Sequence, residues 1–296
     1  MRHLTFARWT LLLSALLICS AVSCKQEKVY QVNGIVREVL PERRRAKIEH
    51  EAIPGYMAAM TMTFDVKERK ELDGIEPGDK ISFRMVVTEK DGWIEGIHKT
   101  GRAAAAPAPD PAPGGLQQVR EVDPLKEGDT MPNYHFTNEL GQPISLSDFK
   151  GQALALSFIF TRCPFPTFCP RMSDNFAEAQ KKLEAMPGVP ENWHLLTISF
   201  DPEFDKPSVL KSYGERFKAN PKHWSFATGE KIDITAITEQ FGLIFWKSDP
   251  QQSANISHNL RTVVIDASGH VQKIFPENTW KVDDLVQEIL KAARRG

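Results

Sequence analysis

The sequence carries almost no net charge and very little cysteine. Its 37 basic and 38 acidic residues leave a formal net charge of −1, which gives no sign of a nucleic-acid partner. Of only four cysteines, Cys19 and Cys24 fall in the N-terminal segment, so Cys163 and Cys169 are the only thiols in the rest of the chain. A hydrophobic content of 41% fits a globular protein, and 296 residues are enough for one large domain or two ordinary ones.

The N-terminal segment has the pattern of a secretory signal. Arg2 and Arg8 supply a positively charged start, a short apolar core follows at residues 11–18, and small residues then lead to Cys24. The segment resembles a bacterial lipoprotein signal, in which that cysteine is lipidated, although Ala21 stands where leucine is usual. An ordinary cleaved signal with an incidental Cys24 is the alternative. We expect residues 1–24 to be absent from the fold, and the mature protein to lie in the periplasm or cell envelope, anchored to the membrane through a lipid on Cys24.

Residues 29–100 predict a small all-β domain. Five short strand-like runs are separated by turn signals rich in proline, glycine and aspartate. The predicted strands are 30–40, 46–49, 60–66, 80–88 and 93–97. Five short strands in this length are typical of a small barrel such as the OB-fold.

One histidine and three methionines gather in this predicted barrel. Met57, Met60 and Met62 lie within six residues, and His50 ends the preceding strand. Because Met60 and Met62 are two apart on a strand, their side chains project to one face. Methionine in a strand is usually core packing, and a single histidine is usually at the surface. Thioethers beside an imidazole, however, suit copper(I) or silver(I).

This pattern resembles the CusF-like copper- and silver-binding domains of the periplasm, which are also small five-stranded barrels. The resemblance implies that His50, Met60 and Met62 bind copper. It also implies an aromatic cap over the metal, for which this sequence has no clear equivalent. The candidates for that position are Met57, which would be a further ligand, the adjacent Tyr56, and Trp93 on a neighbouring strand.

Residues 101–118 form a linker rich in alanine and proline. Alternating Ala and Pro favours an extended polyproline conformation at about 3.1 Å per residue, so the segment can span roughly 40 Å. We expect it to tether two domains without fixing their orientation.

The second domain, residues 119–296, is organised around two cysteines on a proline-rich loop. An apolar run at residues 154–160 predicts a buried strand, and apolar residues at helical spacing follow the loop. Cys163 and Cys169, with five residues between them, therefore lie at the carboxyl end of a strand and the start of a helix. Open α/β sheets place their chemistry at such a position.

Three interpretations of this cysteine pair follow from the residues alone. The pair can be a structural disulfide, a redox pair or a site for a soft metal. A helix N-terminus favours a thiolate, and the positive charges of Arg162 and Arg171 would act in the same direction.

The rest of this domain has the order of a thioredoxin-like α/β fold, with a strand–helix–strand unit followed by a hairpin and a helix. Asp201 and Asp205 follow the second core strand, and the residues leave open an acidic site or simple helix capping by Asp205. His258 stands just before a core strand, where a histidine is often only a loop residue. The predicted elements after the hairpin of residues 131–144 are strands 193–200, 241–246, 261–266 and 271–275 and helices 206–217 and 282–293.

Three motifs of this domain resemble the Sco/SenC family, thioredoxin-like copper proteins of the bacterial envelope and the mitochondrial inner membrane. These motifs are residues 158–170, 201–205 and 258–262, in that order. The resemblance implies that Cys163 and Cys169 bind copper, as Cu(I) or Cu(II), together with His258. This chain departs from the family in one respect, because five residues rather than three separate the cysteines.

These features predict an exported copper metallochaperone whose client is the copper-bearing subunit of a terminal cytochrome c oxidase. Copper delivery needs no substrate chemistry, so the sequence does not by itself predict an enzyme. One alternative is a thiol–disulfide oxidoreductase in which Cys163 attacks and Cys169 resolves, served by thioredoxin-like reductants. Another is a periplasmic copper buffer. His258 separates the first two functions, because copper ligation requires a neutral imidazole and disulfide exchange does not.

Overall fold

The computed structural model describes residues 27–40, 44–57, 59–103, 123–247, 256–278 and 280–295. The predicted signal segment with Cys24, and most of the predicted linker, lie outside these ranges. Within them, no helix combines the length and the apolar character that a membrane span requires.

The first domain is a five-stranded antiparallel sheet with the strand order β3-β2-β1-β4-β5. Val66 and Ile94 form a parallel bridge, and the Lys67 N–H donates to the Ile94 carbonyl at 2.9 Å, so the sheet curls until its two edges meet. This confirms the predicted small all-β domain. Its strands are β1 (Lys28–Leu40), β2 (Arg45–His50), β3 (Met60–Asp65), β4 (Asp79–Val87) and β5 (Gly92–Arg102).

Strand β5 is longer than its sequence pattern predicts. It continues past residue 97, and Gly101 and Arg102 pair with Lys80 and Asp79 of β4. These two residues, which the composition assigns to the linker, therefore belong to the sheet. Backbone pairing with β4 determines the end of this strand, and side-chain composition does not reveal it.

The second domain contains a mixed seven-stranded sheet with four helices. Its strands are β6 (His135–Asn138), β7 (Pro143–Ser145), β8 (Ala153–Ile159), β9 (Trp193–Ser199), β10 (Trp224–Thr228), β13 (Arg261–Ile265) and β14 (Val271–Pro276). A separate two-stranded sheet consists of β11 (Phe245–Lys247) and β12 (Ile256–His258). The helices are α1 (Cys169–Ala185), α2 (Pro207–Arg216), α3 (Lys231–Gln240) and α4 (Val282–Ala293).

The large sheet has the order β14-β13-β8-β9-β10-β6-β7. Strands β8, β9 and β10 are parallel, while β13 runs antiparallel to β8 and forms a hairpin with β14. Every residue of β8 and β9 is buried, as expected for central strands with both faces covered. This topology confirms the predicted thioredoxin-like α/β domain.

The structure corrects three details of the sequence prediction in this domain. Strand β10 and helix α3 were not predicted. Phe241 follows the end of α3, so the strand predicted for residues 241–246 is reduced to β11, which pairs with β12 outside the main sheet. Helix α2 begins at Pro207 with Lys206 as its N-cap, so Asp205 does not cap it. The carboxylate of Asp205 instead accepts hydrogen bonds from two neighbouring segments.

Candidate metal centres

The two cysteines lie on the connection between β8 and α1. Cys169 is the first residue of α1, where Pro170 is tolerated because the first turn has no partner for its backbone N–H. Cys163 lies in the loop before it and is half-buried, whereas Cys169 is fully buried. Both thiols are free.

The fold brings His258 to these cysteines. The Sγ atoms of Cys163 and Cys169 and a ring nitrogen of His258 all lie within 4.8 Å of one another. The shortest contact joins Cys169 Sγ to His258 Nε2, at 3.6 Å. Among the described residues, no other group of three histidine, cysteine or acidic side chains comes this close together. The three residues that the family resemblance implies as ligands therefore share one site.

The ring of His258 is oriented for coordination through Nε2. Its Nδ1 lies 2.9 Å from the carbonyl oxygen of Asn259, which can only accept, so Nδ1 carries a proton and donates it. In the neutral imidazole this leaves the Nε2 lone pair directed at the cysteines. Aromatic rings pack around the imidazole on several sides and hold its plane. They are Phe160, Phe168 and Phe200, with ring centroids 5.4, 5.7 and 5.0 Å from that of His258.

Asp205 fixes the start of the cysteine loop. Its carboxylate accepts hydrogen bonds from the Thr161 backbone N–H at 3.0 Å and from the Thr161 hydroxyl at 2.5 Å. It also accepts from the Ser199 hydroxyl at 2.5 Å, so it ties the ends of β8 and β9 together. Burial raises the pKa of Asp205, although these hydrogen bonds oppose the shift. Asp205 therefore positions the start of the cysteine loop, and helix capping, one of the two alternatives left open by the sequence, does not apply.

The two arginines expected to activate the thiols are engaged elsewhere. Arg162 forms an ion pair with buried Asp201 at 2.5 Å, and Arg171 pairs with Asp91 of the first domain at 2.9 Å. Neither guanidinium pairs with a cysteine in these contacts. The charge of Arg162 serves instead to neutralise the buried carboxylate of Asp201.

The two thiols have opposite pKa shifts. Burial alone would raise the pKa of Cys163, but hydrogen bonds with Cys169 and His258 outweigh it and hold that pKa well below the usual value for a thiol. Burial raises the pKa of Cys169, and the neighbouring Cys163 raises it further. Of the two thiols, the half-buried Cys163 is therefore the one that loses its proton more readily. Although Cys169 begins helix α1, its pKa is therefore raised and not lowered.

The first domain places His50, Met60 and Met62 on one inner face. Strand pairing sets His50 opposite Met60 and Ile48 opposite Met62, and directly opposed residues point to the same side of a sheet. His50 is 2% exposed, Met62 is 4% exposed and Met60 is half-buried. The sequence prediction that the two methionines project to one face is therefore matched by the register, which also places His50 on that face.

The ring of His50 is oriented by the same kind of hydrogen bond as the ring of His258. Its Nδ1 lies 2.7 Å from the carbonyl oxygen of Glu51, so this nitrogen donates its proton. Its Nε2 is buried and has no hydrogen-bond partner among the described residues. Burial lowers the pKa of His50, against the opposing effect of the bond to Glu51, and so favours the neutral ring. A buried, unpartnered imidazole nitrogen is costly unless something else binds it, and a copper(I) ion would fit that requirement.

The three further candidates around this site have different environments. Met57 is buried and bridges to Ile53, so it lines the same core. The ring of Tyr56 stacks on Tyr30 with centroids 4.6 Å apart. The indole of Trp93 donates to Glu95 at 3.1 Å, while the next residue, Ile94, is buried in the barrel. Since neighbouring residues on a strand face opposite ways, Trp93 points away from His50 and does not cap it.

Sequence reasoning missed the residues that support these ligands. The carbonyls of Glu51 and Asn259, which fix the two imidazoles, belong to residues whose side-chain types give no signal. Phe165, in the middle of the cysteine loop, is 3% exposed and contacts the first domain. The only signal for that contact was the greater length of the loop.

Comparison with known proteins covers both domains. The family model described as SCO1/SenC matches residues 122–294, and the one described as copper binding periplasmic protein CusF matches residues 29–99. The chain is 32% identical over 187 residues to the SCO1 protein homolog of Bacillus subtilis (strain 168). This alignment covers 60% of this chain and 89% of that protein. It is 24% identical over 157 residues to the mitochondrial SCO2 homolog of Homo sapiens, covering 52% of this chain and 57% of that protein.

Solved structures give similar matches. A SCO1/SenC family lipoprotein from Bacillus anthracis str. Ames aligns with a TM-score of 0.49 at 26% identity, over 55% of this chain and 95% of that one. Copper-bound ScoI of Arabidopsis thaliana aligns with a TM-score of 0.48 at 22% identity, over 58% of this chain and 100% of that one. The two resemblances predicted from the sequence are confirmed by the family matches: the chain belongs to the SCO1/SenC family and carries a CusF-like copper-binding domain in front of its Sco domain.

Proposed function

We propose that this protein is an exported metallochaperone that delivers copper to the copper-bearing subunit of a terminal cytochrome c oxidase. The observation that supports this most strongly is the convergence of Cys163, Cys169 and His258 within 4.8 Å. Thiolates with one neutral imidazole form a soft donor set that suits copper(I). The oxidase client is what membership of the Sco family implies.

The opposite pKa shifts of Cys163 and Cys169 indicate how copper enters the Sco site. Cys163 is the more exposed thiol and the one whose pKa is lowered, so it meets the incoming ion first. Cys169 then releases its proton to solvent as it binds, and His258 completes a three-coordinate set through Nε2. Copper stays as copper(I) in these steps, and no electron is transferred.

The first domain supplies a second copper(I) site of different character. His50, Met60 and Met62 are its proposed ligands, with Met57 as the nearest further thioether. All of these donors are neutral, whereas the Sco site offers anionic thiolates. Charge alone makes the reduced Sco site the tighter one, so copper is expected to pass from the barrel to the Sco domain.

A copper(I) titration of the reduced mature chain, with a competing chelator, tests this function. The expected stoichiometry is two ions per chain, falling to one when Cys163 and Cys169 are joined as a disulfide. Copper-loaded protein should then transfer its ion to the soluble copper domain of the oxidase subunit. If both ions bind and neither is transferred, a copper buffer becomes the better account. If the Sco site binds no copper, the metallochaperone proposal is wrong.

One observation favours a second candidate, a thiol–disulfide oxidoreductase. A low-pKa thiol beside a high-pKa thiol is the arrangement of an attacking and a resolving cysteine. Cys163 would attack a substrate disulfide, forming a mixed disulfide and freeing one substrate thiol. Cys169 would then attack the mixed disulfide, freeing the second substrate thiol and closing a Cys163–Cys169 disulfide. A reductase assay with an external thioredoxin-like reductant separates the two functions. Oxidoreductase activity that survives His258→Ala, in a protein with no measurable copper affinity, would support this candidate.

The location of the protein is part of the proposal. The sequence predicts export and lipid attachment at Cys24, and the family match to a periplasmic copper-binding protein is consistent with export. Intact-mass measurement of membrane-extracted protein should show an acylated chain that begins at Cys24. An unmodified chain cleaved at another position would contradict the anchor.

A further inference from the structure

The two domains contact each other through the cysteine loop. The hydroxyl of Tyr56, next to Met57 in the barrel, donates to the carbonyl of Pro164, next to Cys163, at 3.1 Å. The tether predicted from composition would leave the orientation of the domains free, so this contact is a feature that the linker does not explain.

Polar contacts continue on both sides of this point. Arg171, two residues beyond Cys169, pairs with Asp91 of the barrel at 2.9 Å. Asn278 donates to the Thr167 carbonyl at 2.5 Å and accepts a longer bond from Arg45 of the barrel at 3.4 Å. The barrel thus rests on both ends of the segment that carries the thiols.

Phe165 is the apolar centre of this contact. It lies two residues after Cys163, is 3% exposed, and packs edge-on against Phe64 of the barrel with ring centroids 6.2 Å apart. Strand β5 also approaches its ring closely at Gly92. A Cβ atom on Gly92 would lie 3.1 Å from the ring carbons, so glycine permits an approach that any larger residue would hinder.

Buried rings connect the two proposed metal sites through this residue. His50 packs against Phe64 at 5.6 Å, and Phe64 packs against Phe165 at 6.2 Å. Phe165 then packs against Phe168 at 5.4 Å, and Phe168 against His258 at 5.7 Å. These edge-to-face contacts form a continuous row. His50 of the barrel lies at one end and His258 of the Sco domain lies at the other, and each imidazole could bind copper.

We propose that Phe165 is the anchor that docks the barrel on the Sco site, so that copper(I) passes between the two sites inside a closed interface. This inference rests on the proposed function and adds the route of transfer. The two cysteines at the ends of the loop bind metal while Phe165 between them anchors the donor domain, which gives the additional loop length a role. Copper exchanges its neutral imidazole and thioether donors for the Cys163 thiolate and then Cys169. The thiol proton leaves to solvent, and no electron moves.

The test measures how fast an external chelator removes copper from the full mature chain. Reduced protein is loaded with one equivalent of copper(I), and capture by bathocuproine disulfonate is followed by absorbance. Phe165→Ala should accelerate capture by about tenfold, the effect of truncating a buried aromatic anchor at an interface. The copper stoichiometry of two should be unchanged. Small-angle X-ray scattering should show a more extended molecule.

A charge reversal across the interface provides a second variant that does not disturb the core. Asp91→Arg should accelerate capture, because it sets two guanidinium groups against each other, and the double variant Asp91→Arg/Arg171→Glu should restore slow capture. Wild-type capture rates and compactness in Phe165→Ala and Asp91→Arg, with both sites still binding copper, would overturn the docking inference alone. A wild-type chain that binds no copper at the Sco site would overturn the proposed function.

Discussion

The Sγ atom of Cys169 lies 3.6 Å from Nε2 of His258, although 89 residues separate the two in the chain. The contact is a product of the tertiary fold. Strand β13, which follows His258, runs antiparallel to β8, which leads into the cysteine loop. Both residues therefore arrive at the same edge of the sheet, where one is the first residue of α1 and the other the last residue of β12.

His258→Ala should weaken copper(I) binding at the Sco site at least about 10- to 100-fold, because even groups that merely support a ligand have effects of this size. Disulfide formation between Cys163 and Cys169 should remain possible, since it needs no imidazole. Chelator competition and thiol titration measure the two properties. His135→Ala, which alters an exposed histidine of the same domain, is the matched control. Unchanged affinity in His258→Ala would remove the imidazole from the ligand set.

Met60→Leu combined with Met62→Leu should abolish copper binding by the barrel while the domain stays folded. The swap roughly conserves apolar volume, so each change should cost less than about 1.5 kcal/mol of unfolding free energy. Copper stoichiometry and the urea midpoint are the measurements. Met85→Leu makes the same change at a fully buried position of β4 and should leave copper binding intact. Two copper ions per chain in the double variant would mean that these methionines are core residues only.

Asp205→Asn should destabilise the Sco domain by roughly 1–3 kcal/mol, because an amide cannot accept from all the donors that surround this buried carboxylate. Copper affinity should fall as well, since Asp205 holds Thr161 at the start of the cysteine loop. Asp283→Asn is the control, because it removes an exposed partner of Lys182 and should have little effect. A variant with wild-type stability would show that the loop is held by other contacts.

The metal-free protein should lose stability as pH falls, through His194. Burial lowers the pKa of His194 from 6.5 to about 4, and the nearby His223 contributes to the shift. The unfolded chain therefore takes up this proton first, so stability is complete above the unfolded pKa and is lost as pH falls from about 6.5 toward 4. The loss is on the order of 3 kcal/mol. Urea unfolding across this range measures it.

His194→Gln should lose this pH dependence, because glutamine can still bond to Ser225 and does not titrate. Changing the exposed His135 to Gln should keep it. An equally steep fall of stability in His194→Gln would assign the effect to other groups.

Local patterns were enough to predict much of the fold. The alternation of buried Ala46, Ile48 and His50 along β2 is visible in the sequence, and so is the helical spacing of Met172 and Phe176 in α1. Family resemblance added the three residues of the Sco site, which no local pattern joins. Spacing alone could not bring His258 to a loop 89 residues earlier.

The remaining features depend on contacts between distant segments. Asp205 looked like a helix cap because a helix follows it, and only the approach of Thr161 shows its role. Phe165 read as part of a stiff loop, and its contact with Phe64 depends on how two domains meet across the tether. Such contacts leave no periodicity in the sequence.

X-ray absorption at the copper edge tests the central claim most directly. The sample is the Met60→Leu/Met62→Leu chain, reduced and loaded with one equivalent of copper(I), so that only the Sco site is filled. The spectrum should fit two sulfur donors and one imidazole nitrogen, and the nitrogen should disappear when His258→Ala is added. Copper that is lost on gel filtration, or a spectrum without the sulfur pair, would contradict a copper site built from Cys163, Cys169 and His258.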